Sequence, residues 1–289
     1  MRMRRDRFRR AAIVAGGLFL LTAASPAMDL YLKTTGGLLR SRFGDIDLAL
    51  RDWSASWEAT VAARPNWGYE QTGTLRQSGS VLFGAEVIAS FGRRWAVGLG
   101  LALLYSNFTD KYAPLYVQMP DDKIEYTSPT KVASYPFYAL GQYTVPLAKK
   151  WDAFVSAGMG FAPTKYVHRE KFRNLKDKDF GVALVEIASG TGPMVLGGAG
   201  LRYAIDPALG LFAEAGYVLA KVGSLEGDLG EGATGVLYSY REYDEALDFW
   251  QTKLRLHASD PTGSTIRAVR KADLNLSGFS FRLGLTMKL

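Results

Sequence analysis

Residues 80–107 alternate apolar and polar positions with a period of two, interrupted once by Gly92-Arg93-Arg94. In the first arm Val81, Phe83, Ala85, Val87, Ala89 and Phe91 share a parity opposed by Ser80, Gly84, Glu86 and Ser90. In the second, Trp95, Val97, Leu99, Leu101, Leu103 and Tyr105 are opposed by Ala96, Gly98, Gly100, Ala102 and Ser106. A period of two held over about ten residues predicts a strand, and that length suits a tilted strand crossing a bilayer with its apolar face toward lipid.

The same alternation recurs along the chain. Residues 29–40 set Leu30, Leu32 and Leu38 against Tyr31, Lys33 and Thr35. Residues 131–145 carry Tyr135, Phe137, Ala139, Tyr143 and Val145 on the outward parity, with a bulge expected at Pro136, which lacks a ladder donor. Further strands follow at 151–168 (Trp151, Val155, Met159, Phe161), 193–205 (Val195, Leu201, Tyr203), 209–222 (Leu211, Tyr217, Leu219) and 274–289 (Phe279, Phe281, Leu283, Leu285, Met287). The eight strands are separated by connections at 41–79, 108–130, 169–191 and 223–273, alternating with turns of a few residues. The first connection is expected to hold a short helix. The last contains Tyr243, Leu247, Trp250 and Leu254, whose spacing predicts an amphipathic helix within 241–257.

Composition adds little by itself: 48% hydrophobic and 22% charged over 289 residues is ordinary, as expected for a membrane barrel, which never needs long apolar runs. Charge is more informative. Six arginines and one aspartate in residues 1–10 supply +5 of the formal +7, leaving +2 for the rest, so nucleic acid is not an expected partner. The apolar run 11–21 and the small-residue end Ser25-Pro26-Ala27 complete a secretory signal peptide, 1–27, with cleavage expected after Ala27 and residues 28–289 forming the barrel. There are no cysteines, so no disulfide framework is available.

Aromatic residues fall in two rows on the outward parity. Phe91, Trp95, Tyr143, Trp151 and Tyr203 flank the short turns, and Tyr105, Tyr135, Phe161, Tyr217 and Phe279 lie about one membrane thickness away. With the signal peptide, the eight strands, the loop rhythm and the final strand GFSFRLGLTMKL, the chain resembles the small bacterial outer-membrane β-barrels of the OmpA transmembrane-domain, OmpX and OmpW kind. It departs from them in ending on Leu289, where such chains usually carry an aromatic residue. The expected fold is therefore all-β, an eight-stranded antiparallel up-and-down transmembrane barrel in the outer membrane, with both termini periplasmic and long extracellular loops. Its expected partners are outer-membrane lipid and lipopolysaccharide, the outer-membrane assembly machinery and an extracellular ligand met by the loops.

Inward parity selects Lys33, Glu86, Arg202, Glu214 and Arg282. A ring of eight strands is only wide enough to be filled by side chains, so these charges are expected to pair and plug the lumen. No catalytic group, metal or cofactor site is expected, and the function read from the sequence is a non-enzymatic anchor or loop-binding protein. A narrow channel or hydrophobic-molecule passage is the first alternative, and a lipid A-modifying enzyme using His168 the second. His257 is expected at a helix terminus. Asp45, Asp47, Asp52, Asp121 and Asp122 are expected as solvated loop acids, because no EF-hand spacing accompanies them. Gly98, Gly100, Gly197, Gly198 and Gly200 lie within strands, not in a strand-to-helix turn, which marks close packing instead of a dinucleotide fingerprint. Asn107-Phe-Thr109 matches a glycosylation sequon.

Overall fold

The structure, a computed structural model, describes residues 28–71, 78–107, 114–176, 180–230 and 232–289. The expected signal peptide, and Phe108 and Thr109 of the sequon, lie outside them. Eight long strands form a ring: β1 (Met28–Ser41), β2 (Ser78–Phe91), β3 (Trp95–Asn107), β4 (Phe137–Ala148), β5 (Trp151–Asn174), β6 (Phe180–Ala204), β7 (Leu209–Gly223) and β8 (Gly278–Lys288). Each pairs antiparallel with its neighbour in chain order, and β1 pairs with β8, so the eight strands close into a ring.

Alternation sets which face each residue takes. The outward residues form a continuous apolar wall, from Leu101 at 67% exposed to Met159 at 69% and Phe279 at 73%. The two aromatic rows bound it, and pairs within a row touch across strands: Trp95 with Tyr143 at 4.7 Å, Trp151 with Tyr203 at 5.0 Å and Tyr217 with Phe279 at 4.9 Å between ring centroids. Trp95 and Tyr105 stand ten residues apart on β3, about 33 Å along a strand and roughly 25 Å of height at a 40° tilt.

The sequence reading needs three corrections. First, among the described residues the sheet has 17 strands, because nine shorter ones build on the long-loop end of the ring. Residues 169–191, expected as a loop, largely continue β5 and β6, which are 24 and 25 residues long. Beyond the apolar wall both faces carry charge, so the alternation that identifies a strand fades while the backbone pairing continues. Second, the expected helix at 241–257 is a hairpin of Ala233–Asp244 and Phe249–His257. Tyr243 and Trp250 are directly paired across it, their rings 5.0 Å apart, so a spacing that would share a helix face is met by two facing strands. Third, Pro136 interrupts the strand but causes no bulge. Leu104 pairs with Ser134 and Leu101 with Phe137 in one register, while the shift falls at Pro146.

The expected helix in 41–79 is present as α1 (Asp45–Ala62). Its buried Ile46 and Leu50 join one core with Leu82, Leu104, Tyr138 and Leu196 of the ring interior and Leu237 and Leu254 of the hairpin. Its far end, with Val61 buried and Trp53 and Trp57 partly so, packs on Leu115 and Val117. Replacing Leu50 by Ala should cost about 2–5 kcal/mol of local stability. Amide exchange should speed up at Thr252 and Leu256 beside α1 while amides in the middle of β7 keep their protection.

Candidate functional site

Two polar clusters occupy the ring interior at different heights, and strand register builds the lower one. Lys33 of β1 lies directly opposite Glu86 of β2, and Glu214 of β7 directly opposite Arg282 of β8. These strands are ring neighbours in the order β2, β1, β8, β7, so the two pairs also reach each other. Lys33 Nζ stands 3.2 Å from Glu86 Oε2 and 2.9 Å from Glu214 Oε2. Arg282 bridges Glu86 at 3.1 Å and forms a second, close ion pair with Glu214. Tyr138 donates to Glu86 Oε1 at 2.8 Å and Ser156 to Glu214 Oε1 at 2.8 Å, while Lys33 sits 4.4 Å from the centroid of the Phe212 ring.

All four charged residues are buried, with Glu86 at 1% and Arg282 at 7% exposed. Two cations and two carboxylates cancel, and the hydroxyls take further lone pairs, which is the condition under which buried charge is tolerated. Glycine makes the room. A Cβ at Gly100 would lie 2.4 Å from the Tyr138 ring, and one at Gly198 would lie 2.7 Å from Glu214 Oε1.

Arg202 does not join this layer. It pairs with Asp152 at 2.6 Å, nearer the short turns, where both are partly exposed. Asp152 is directly opposite Arg202 in register, but its place next to the turn hid its inward parity from the sequence reading. Here a cavity of about 420 Å³ reaches from Lys33 to Gly92, Arg93 and Lys149 in the turns. The aromatic residues of the two rows line the outer wall and take no part in either cluster.

The upper cluster gathers around His168, which is inward and buried. Its Nδ1 lies 2.8 Å from Thr130 Oγ1 and its Nε2 3.3 Å from Glu170 Oε1. Both ring nitrogens of His168 thus have an oxygen within hydrogen-bond distance. Arg255 of the hairpin reaches Glu170 at 2.7 Å and Glu186 at 3.5 Å. Thr130 lies just before the strand that Pro136 interrupts, and Glu170 and Glu186 fall in stretches read as loop, so sequence spacing gave no reason to group them with His168.

Buried carboxylates also close the inner edge of the hairpin. Asp52 of α1 accepts from the Thr252 amide at 3.1 Å, Glu186 accepts from the Leu256 amide at 2.8 Å, and Asp45 pairs with Arg270. Asp45 and Asp52 are thus buried structural groups and not solvated loop acids. His257, expected at a helix terminus, ends a strand with Nε2 3.3 Å from the Tyr240 hydroxyl. Among the described residues no three His, Cys, Asp or Glu side chains converge as metal ligands.

The cavity between α1 and His168 is about 30 Å³, and the buried Ser128 hydroxyl lining it has no hydrogen-bond partner. That volume has room for about two waters.

No protein-family model matches the chain, and no curated protein matches it. Among solved structures, the translocator domain of autotransporter NalP from Neisseria meningitidis is matched at a TM-score of 0.20 and 12% identity, over 99% of this chain and 96% of that one. A likeness at that score carries no argument about the chain.

Lys33→Met should cost about 3–5 kcal/mol, because it leaves two buried carboxylates sharing one arginine. The paired change Lys33→Met with Glu86→Gln should cost less than the two single changes summed, as read by a double-mutant cycle in chemical denaturation. For Glu170, burial alone would raise the pKa, but hydrogen bonds and charge from His168 and Arg255 outweigh it and hold the carboxyl at about 2, below its ordinary 4.5. Its stabilisation is therefore complete above pH 4.5 and is lost as pH falls toward 2. Amide protection in Phe249–His257 should fall across that window in the parent and stay flat in Glu170→Gln.

Proposed function

We propose that the chain is an outer-membrane β-barrel with a closed lumen, acting without catalysis as a membrane anchor that holds a structured extracellular cap. The observation that carries this is the polarity of the ring. Its outer wall is apolar over roughly 25 Å between two aromatic rows, and its interior holds ionised side chains. A soluble closed sheet has the reverse arrangement, with an apolar interior and a charged exterior.

Closure at two levels supports the anchor over the channel reading. The lower level is the neutral layer of Lys33, Glu86, Glu214 and Arg282, and the upper is the apolar core formed by α1 and the hairpin. An ion would have to displace paired charges and then packed leucines. The enzyme reading has one observation in its favour, the alignment of Thr130, His168 and Glu170. Against it stands the size of the cavity beside them, about 30 Å³, which is far smaller than an acyl ester. The extracellular cap is the surface offered to partners, and the aromatic rows fix its height above the lipid.

The test is refolding into lipid vesicles. Leu283→Arg, near the middle of the outer wall of β8, should cost about 2–4 kcal/mol of folded stability in the bilayer, while Phe279→Arg in the upper aromatic row should cost about 0–1 kcal/mol. Equal tolerance at both depths would count against the membrane reading. The inserted parent should pass no steady current in a planar bilayer, and sustained unitary conductance would refute the closed lumen.

A further inference from the structure

Above the upper aromatic row, β5 continues with Lys165, Val167, Arg169, Lys171 and Arg173 all on the outward parity. Beside it runs the short strand Thr130–Ser134, whose Lys131 is directly opposite Val167. Lys165 and Arg169 lie two residues to either side of Val167, so each is a diagonal neighbour of Lys131 at about 7–8 Å. The three cations form a triangle around one valine, and all three are exposed.

Their lack of an ion pair separates them from the paired cations and is shared with other exposed ones, Arg93 and Lys149 at the short turns among them. Lys33, Arg255 and Arg282 each pair with two carboxylates, and even the exposed Lys221 and Lys288 hold Asp273 and Asp29. Among the described residues, Lys131, Lys165 and Arg169 make no ion pair. The next acid in register on this face is Glu125, which stands opposite Arg173 higher up.

The other flank of β5 is apolar. On β6, Val185 is opposite Arg169 and Ile187 is opposite Val167, and they are 50% and 41% exposed. Lys165 lies four residues beyond Phe161, about 13 Å along the strand, which is where headgroups begin if Phe161 marks the edge of the hydrocarbon.

We propose that this face of β5, β6 and Thr130–Ser134 binds a phosphorylated membrane amphiphile, with lipid-borne phosphate held by Lys131, Lys165 and Arg169 and acyl chains lying along the apolar wall below. Clustered, unpaired cations call for an anion, and the adjoining valine and isoleucine call for an amphiphile over a free ion. The proposal rests on the membrane reading above.

The test uses the full chain in neutral detergent, with native mass spectrometry of retained lipid. Bisphosphorylated lipid A should be retained at least about 10-fold better than its dephosphorylated form. The preference should shrink with added salt, and millimolar inorganic phosphate should not abolish it. Lys131→Gln/Lys165→Gln/Arg169→Gln should lose the preference, while Arg93→Gln/Lys149→Gln/Lys150→Gln at the opposite end should keep it. If the triple variant does not refold, Lys131→Gln/Lys165→Gln and the salt titration of the parent give the same reading. Equal retention of the two lipid forms, an unchanged triple variant, or displacement by inorganic phosphate overturns the site. Insertion of the parent into vesicles, measured in parallel, separates the failures: a parent that inserts without the preference sinks this proposal alone, and one that does not insert sinks the membrane reading with it.

Discussion

Lys33, Glu86, Glu214 and Arg282 must find one another inside a ring that leaves them almost no water, and this constraint reaches every strand that carries them. A slip of one residue between β1 and β2, or between β7 and β8, would turn a charge out into the apolar wall. The charge layer therefore fixes register across half the ring. It also dictates the small residues nearby, since Tyr138 can reach Glu86 only because Gly100 has no side chain in its way. Buried charge is weak evidence for stability, since desolvation offsets much of the attraction. Specification of register is the role these contacts suit.

Above the layer, the molecule changes character. The ring interior becomes an apolar core filled by Ile46 and Leu50 of α1 and by Leu237 and Leu254 of the hairpin. The hairpin brings an open strand edge into a dry place, where unpaired amides are costly. Asp52 and Glu186 supply acceptors there, and Glu186 also meets Arg255, so a single network joins β5, β6, α1 and the hairpin. The long connections thus make a folded cap whose polar contacts are nearly all internal. On the outer side, Lys131, Lys165 and Arg169 make no ion pair with any described residue.

Much of this was legible in the residues because of one local rule. Successive side chains on a strand point to opposite faces, so alternation alone marked Lys33, Glu86, Glu214 and Arg282 as inward and Trp95, Phe161 and Phe279 as outward. Turn length and strand count then implied a closed antiparallel ring. The rule gave out where its cause did: past the apolar wall, strands such as the end of β5 carry charge on both faces, so they looked like loops. Tyr243 and Trp250 misled for a related reason, since residues seven apart can share a helix face or face each other across a hairpin, and only pairing with a neighbouring strand decides between them.

By itself the sequence determined parity, and with it the two faces of the ring and the inward place of Lys33, Glu86, Glu214 and Arg282, because parity is a property of each strand alone. Which charges meet is a property of register between strands far apart in the chain. So only the tertiary structure sent Arg202 to Asp152, closed the four-membered layer without it, and brought Thr130, Glu170 and Arg255 to His168.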